Sequence, residues 1–360
     1  MKILIDIGHP AHVHLFKYLA NELGGKHKIY FSVRDIPVAK HLMDHYNMRY
    51  VDLGKKKDSL FGKFITVVVQ NIKILFFVLK NGIDVGLSSG IILPHVSIIT
   101  KMKSITFDDD DDLVEPLIVK YAHPFSDVIL TPSPIIRQSH KSLNYSGTHE
   151  LAYLHPNRFA PDNTVLDELG LTHEQPYFIV RFVAFKGHHD VGHSGISLKN
   201  KRSLITLLNK FGRVIITSER EIEPEFEQYR LAISPEKIHS VMNYATLFIG
   251  DSQTMTSEAA VLGIPAFKCN TFAGKLSVPN ELEYKYNLCH SFAPHDFDKM
   301  LIAIEKTLNS KIITKTYQER RKKMLSDKID VTAFFTWFIE NYPESINIMK
   351  ENPDYQYQFK

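Results

Sequence analysis

The sequence predicts an α/β chain of two doubly wound domains, 1–160 and 161–330, whose polar strand-end loops face a shared cleft. A terminal helix and tail occupy 331–360 and are expected to cross back to the first domain. Two observations carry this. Short apolar runs, of the kind buried on both faces of a parallel sheet, alternate with helical stretches along the chain. Clusters of glycine, histidine, serine and aspartate fall directly after those runs, at the edge where parallel sheets collect ligands.

Bulk composition agrees. At 360 residues, 44% hydrophobic and 23% charged, the chain can bury two cores and is not a disordered sequence. A net charge of +3 is too mild for a nucleic-acid partner, and no nucleic-acid motif is present. Cys269 and Cys289 lack metal-ligand spacing and read as reduced structural thiols. The N-terminus enters a strand with no leader pattern, so the expected location is the cytoplasm, with the inner membrane face as a peripheral option.

The first strand, Lys2–Ile7, ends in Gly8-His9-Pro10-Ala11-His12-Val13-His14, and a helix follows to about Leu23. A metal site is poorly supported, because the loop holds no carboxylate and its histidines do not share a helical face. Acid–base chemistry fits better, since histidine titrates nearest neutral pH; helix capping and cleft filling stand beside it. Lys28–Val33 is the next strand, with Arg34 at its end, and Pro37–His45 the next helix. In 63–80, Lys63, Thr66, Gln70 and Lys73 form one polar stripe, and the apolar run Ile74–Leu79 is far short of the ~20 residues that span a bilayer. A core helix with one wet stripe is expected, and a peripheral membrane-lying helix is the alternative.

Asp84–Ser88 and Ser104–Phe107 are strands, and the second runs into five aspartates, Asp108–Asp112. Such a run is a solvated or chelating loop unless its place at a strand end gives it work. Asp108 and Asp109 are the candidates for acceptor binding or a second carboxylate base. After the strand Asp127–Thr131, a loop-like stretch from His149 to Asp162 marks the domain boundary.

The second domain opens with strand Tyr177–Val183, containing Arg181, and a polar loop holding Gly187, His188, His189 and His193. An arginine within a strand needs an anionic partner, either a structural carboxylate or a phosphate. Helix Lys201–Phe211, strand Val214–Thr217 and helix Pro235–Tyr244 continue the alternation. In Thr246–Phe267, strand Leu247–Ile249 turns at Gly250-Asp251-Ser252 into a helix reaching about Leu262, which Gly263 ends. A helix start with free backbone N–H groups is a ready anion site, though strand–turn–helix units capped by Ser or Asp occur throughout α/β proteins. Glu258, a turn and a half further on, reads either as a contact to a ribose hydroxyl pair or as a solvated helix residue. Asn270–Pro279 is polar, a helix follows at Asp296–Asn309, and the last amphipathic helix is Val331–Asn341. The end, NPDYQYQFK, is expected to fray.

The run Asp251-Ser252-x-x-x-x-x-Glu258-Ala259, then Leu262-Gly263-Ile264-Pro265, resembles the nucleotide-binding segment of UDP-N-acetylglucosamine 2-epimerase and of GT-B glycosyltransferases such as the peptidoglycan N-acetylglucosaminyltransferase. Over roughly 1–330 the chain is similar to an uncharacterised archaeal and bacterial family grouped with surface-polysaccharide proteins. The resemblance implies the GT-B architecture of two Rossmann-like domains, with Ser252, Gln253 and Thr254 near phosphate and Glu258 on ribose. It also implies His188 or His189 at the phosphates, a catalytic histidine (His12, then His9) in the first loop, and neither a protein-bound metal nor a cofactor. Relatives often carry Gly-Gly or Gly-Ala where Gln253-Thr254 stands, which tightens the approach to the phosphates.

The expectation is a glycosyltransferase moving a sugar from a nucleotide-sugar donor, UDP-linked by resemblance, to a surface-polysaccharide or glycolipid acceptor. His12, Asp108 or Asp109 would be the base, with Arg181, His188 or His189 meeting the departing diphosphate. An epimerase acting on the nucleotide sugar itself, or a non-catalytic sugar-nucleotide binder, are the alternatives. The epimerases' N-terminal Gly-Thr-Arg-Pro-Glu loop is absent from this sequence.

Overall fold

The computed structural model describes residues 1–55, 60–183, 195–218 and 222–360, and the chain divides into two compact units. One is Met1–Arg158 with Lys328–Lys360, the other Phe159–Asp327.

The first unit holds strands β1 (Lys2–Ile7), β2 (Lys28–Val33), β3 (Tyr50–Asp52), β4 (Val85–Ser88), β5 (Lys103–Phe107), β6 (Val128–Pro132) and β7 (Ser142–Tyr145). Its helices are α1 (Pro10–Gly24), α2 (Pro37–His45), α3 (Leu60–Asn81), α4 (Ile92–Ser97), α5 (Pro116–Tyr121) and α6 (Leu151–Leu154). The strands pair in parallel in the order β3-β2-β1-β4-β5-β6-β7. Near the middle, β1 buries Ile3, Leu4 and Ile5 completely, which is why that run is apolar on both faces. With all strands pointing one way, the loops after them gather on one edge.

Helix α3 reverses one expectation. Thr66 and Gln70, placed on a wet stripe by the sequence pattern, are buried: Thr66 Oγ1 donates to the Gly62 carbonyl (2.8 Å) and Gln70 Nε2 to that of Leu53 (3.5 Å). The side chain of Lys63 lies outside the described residues. Backbone acceptors within reach satisfy both polar groups, so the helix can turn them inward.

Helices Val331–Glu340 and Glu344–Glu351 and the turn Pro353–Phe359 complete this unit. The tail does not fray. Phe359 packs against Trp337 with ring centroids 5.6 Å apart, its carbonyl accepts from Asp330 N (2.7 Å), and Gln356 Oε1 accepts from Ser146 N (2.5 Å). Aromatic contacts among Trp337, Tyr355 and Phe359 tie down a terminus that was expected to fray.

In the second unit the helices and strands are α7 (Thr164–Glu168), β8 (Tyr177–Phe182), α8 (Leu198–Leu208), β9 (Arg213–Ser218), α9 (Ile238–Asn243), β10 (Leu247–Gly250) and α10 (Gln253–Leu262). There follow β11 (Ala266–Cys269), α11 (Ser277–Asn280), β12 (Cys289–Phe292), α12 (Phe297–Leu308) and α13 (Ile313–Asp327). Its parallel sheet has the order β12-β11-β10-β8-β9. Phe178, Val180, Leu247, Ile249 and Phe267 fill its core. Gly263 ends α10 in the left-handed region (φ 74°), where a Cβ would also meet Gln318 Nε2 at 2.8 Å. Cys269 and Cys289 are buried free thiols, both pushed up to about 12, chiefly by burial.

Candidate functional site

In the first unit, the loops after β1, β2, β5 and β7 supply one polar cluster. Helix α1 begins at Pro10, where the missing N–H is no loss, and exposed His9 caps it, Nδ1 accepting from Ala11 N (3.2 Å). The His9 and His12 rings lie 6.1 Å apart. Nδ1 of His12 accepts from Gly8 N (3.3 Å), which leaves the proton of the neutral ring on Nε2. Burial, then the His9 and His149 charges, push His12 down to about 3 against the pull of Asp109. It is therefore neutral at physiological pH and presents an N–H. Beside this loop the Arg34 guanidinium lies against Gly8 and Gly90. Buried Asp6 accepts from Ser32 Oγ (2.6 Å), and burial raises its carboxyl against the Arg34 charge.

The aspartate run is neither uniformly solvated nor uniform in role. Asp108 is buried, with Oδ2 on His123 Nε2 (2.7 Å) and Arg137 Nη2 (3.0 Å), while Oδ1 accepts from Asp110 N (3.1 Å). Arg137 also binds Asp112 and the Asp110 carbonyl. Asp108 thus holds the loop. Asp109 points elsewhere: Oδ1 lies 3.1 Å from His149 Nδ1, and its side chain is 38% exposed. Burial acts against its ionisation, but the His149 charge and hydrogen bond, with His12, prevail and hold Asp109 below its ordinary value. Burial likewise opposes charge on His149, and Asp109 prevails there too, so His149 titrates above its ordinary value.

Glu150, beside His149, is the opposite case. Burial first, then the Asp109 charge, push it up to about 7. One carboxylate is held ionised and the next held protonated until near neutrality, which is how acid and base are separated in one site. His149 Nε2, Glu150 Oε2 and the Tyr145 hydroxyl are buried with no hydrogen-bond partner among the described residues. Sequence reasoning missed His149 and Glu150, which fall where the chain reads as a boundary loop. The signal was Gly147-Thr148-His149-Glu150 directly after the strand Ser142–Tyr145. The C-terminal segment pins this loop: Ile329 N donates to the Ser146 carbonyl (3.0 Å) and Thr332 Oγ1 to that of Ala152 (2.7 Å).

In the second unit, Ser252 caps α10, its Oγ accepting from Met255 N (3.4 Å). Asp251 Oδ1 accepts from Val183 N (2.7 Å), tying this turn to the end of β8, and burial pushes Asp251 up to about 6. Gln253, Thr254 and Met255 line the helix start, half-buried, and buried Lys268 donates to Gln253 Oε1. Lys268 is pushed down to about 8 by burial, which still leaves it cationic at neutral pH beneath the helix start. Arg181 Nη1 donates to Thr217 Oγ1 (3.0 Å) at the end of the same sheet. Glu258 is 4% exposed, its Oε1 2.9 Å from Nε2 of buried His239, which joins α9 to α10. His188 and His189 lie outside the described residues.

The chain is similar to known proteins in sequence and in fold. A family model described as "Protein of unknown function (DUF354)" matches residues 1–332. An uncharacterised protein of Methanocaldococcus jannaschii is 23% identical over 294 residues, 75% of this chain and 82% of that protein. Among solved structures, the UDP-GlcNAc 2-epimerase of the same organism, in complex with UDP-GlcNAc and UDP, superposes with a TM-score of 0.62 at 12% identity, covering 86% of this chain and 94% of that one. The glycosyltransferase SsfS6 of Streptomyces sp. SF2575 gives a TM-score of 0.62 at 11% identity, covering 95% and 100%. The fold is thus GT-B-like, two Rossmann-like α/β units.

Proposed function

The chain belongs to the DUF354 family, and we propose that it is a glycosyltransferase that moves a sugar from a UDP-linked donor to a hydroxyl of a surface-polysaccharide or glycolipid acceptor. The observation that carries this reading is the half-exposed Asp109 carboxylate, 3.1 Å from His149 at the edge where the parallel strands end, beside Glu150, which burial pushes up to about 7. Asp109, the more exposed of the two, takes the acceptor's hydroxyl proton as the new C–O bond forms at the anomeric carbon and the bond to the diphosphate breaks. The His149 charge steadies Asp109, and Asp108 positions the loop through His123 and Arg137. His12 takes the donor's part, its Nε2–H holding a sugar or acceptor oxygen, with His9 at the rim.

The diphosphate carries away the bonding electron pair. Its charge is met by the N–H groups at Ser252, Gln253 and Thr254, by Arg181 and by the cation of Lys268, with His188 or His189 assigned there from the family resemblance. Glu258 is assigned to the ribose on the same ground, oriented by His239.

Epimerisation of the nucleotide sugar is the second reading, and the same two carboxyls favour it, because removing and returning a carbon-bound proton needs an acid and a base. Product analysis decides between them. Incubation with UDP-N-acetylglucosamine and a membrane glycolipid extract should release UDP and extend the acceptor. A new UDP-sugar isomer without released UDP would establish the epimerase, and an unchanged donor that nonetheless binds would leave a non-catalytic binder.

A further inference from the structure

The solvent side of α3 carries an apolar stripe, and its buried side sets Thr66 and Gln70 in line with Ile74 and Val78. Val68, Val69, Ile72, Phe76 and Leu79 are 40%, 45%, 47%, 67% and 60% exposed. At 3.6 residues per turn they fall within an arc of about 100°. Helix α4 packs on α3 through Ile92, Leu93 and Val96, and Ile98 and Ile99, which follow it, are 57% and 67% exposed. Scattered exposed apolar residues are ordinary, but a full helix face of them is an interaction surface. Exposed Lys73 and Lys80 stand at the edge of the arc and exposed Lys101 follows the isoleucines, while 60–83 holds three lysines and no carboxylate.

The charge pattern selects the occupant. A second copy seated isologously would set the same lysines against each other with no carboxylate in the segment to offset them. An anionic lipid surface matches both features, its acyl boundary taking the apolar face and its headgroups the ammonium groups. No described helix is long and apolar enough to cross a membrane, so α3 would lie in the surface. We propose that α3, with the Ile98-Ile99 turn, docks this protein on an anionic membrane through Val68, Val69, Ile72, Phe76 and Leu79, with Lys73 and Lys80 on the headgroups.

Cosedimentation of the full chain with phosphatidylcholine vesicles, with and without phosphatidylglycerol, tests this. Binding should require phosphatidylglycerol and weaken with salt. Phe76→Ser with Leu79→Ser should abolish it, with an unchanged circular-dichroism spectrum showing that the fold survives. Lys73→Gln, at an exposed position, should lower partitioning about fivefold, the equivalent of about 1 kcal/mol per basic residue at a charged surface. Protein left in the supernatant with anionic vesicles would overturn the proposal. So would a dimer in solution that the Phe76→Ser, Leu79→Ser variant converts to monomer, since the face would then belong to a second copy.

Discussion

Replacing Glu150 with glutamine removes one of the two carboxyls and keeps its shape. Burial and the Asp109 charge raise the Glu150 carboxyl from its ordinary 4.5 to about 7. The folded chain therefore holds this proton more tightly than the unfolded chain does. The stabilisation is fully present below 4.5, falls as pH rises, and is lost once pH passes the folded value of about 7. At about 1.4 kcal/mol per pH unit, the group's whole swing is about 3 kcal/mol. Glutamine cannot ionise, so the variant escapes the loss. Unfolding free energies of Glu150→Gln and wild type, from urea titrations at about pH 5 and about pH 8, should diverge by about 2–3 kcal/mol in the variant's favour at the higher pH. Parallel pH dependence in the two proteins would refute the burial and charge argument for Glu150.

Other positions are as exposed to test. Asp108→Ala leaves buried His123 without its carboxylate and Arg137 with the Asp112 carboxylate alone, and should cost about 3 kcal/mol in thermal unfolding; an unchanged melting temperature would show that Asp108 does not hold the loop. At Gly147 an added Cβ would lie 2.3 Å from Val331 Cγ2, so Gly147→Ala should destabilise by about 1–3 kcal/mol, read in the same melts. Asp109→Asn should leave nucleotide affinity intact and lower turnover by about 10²–10⁴-fold, measured as UDP release; full turnover would remove Asp109 as base.

The fold was legible because its signals are local. Runs such as Lys2–Ile7 and Leu247–Ile249 are apolar without alternation, as strands buried on both faces must be, and Gly263 closes α10 where the sequence placed a helix stop. Strands β3, β7 and β12 escaped notice because edge strands bury less and carry mixed residues such as Tyr50–Asp52. The site was legible in part. Asp109 and His12 stand at strand ends that the alternation marks, but what each does depends on neighbours distant in sequence. Asp108 and Asp109 look alike in a row of five and differ only because Arg137 and His123 meet one and His149 the other. The polarity of α3 misled for the same reason, since the Leu53 carbonyl that satisfies Gln70 lies in another segment.

The most direct test of the proposed activity is calorimetric titration of the wild-type chain and of Arg181→Ala with UDP, GDP, CMP and their common sugars. Saturable one-to-one binding of UDP and a UDP-sugar is expected, weakened about 10–100-fold in Arg181→Ala by loss of a charged hydrogen bond to phosphate. No saturable heat with any nucleotide, or equal binding by both proteins, would contradict a diphosphate seated between Arg181 and the start of α10.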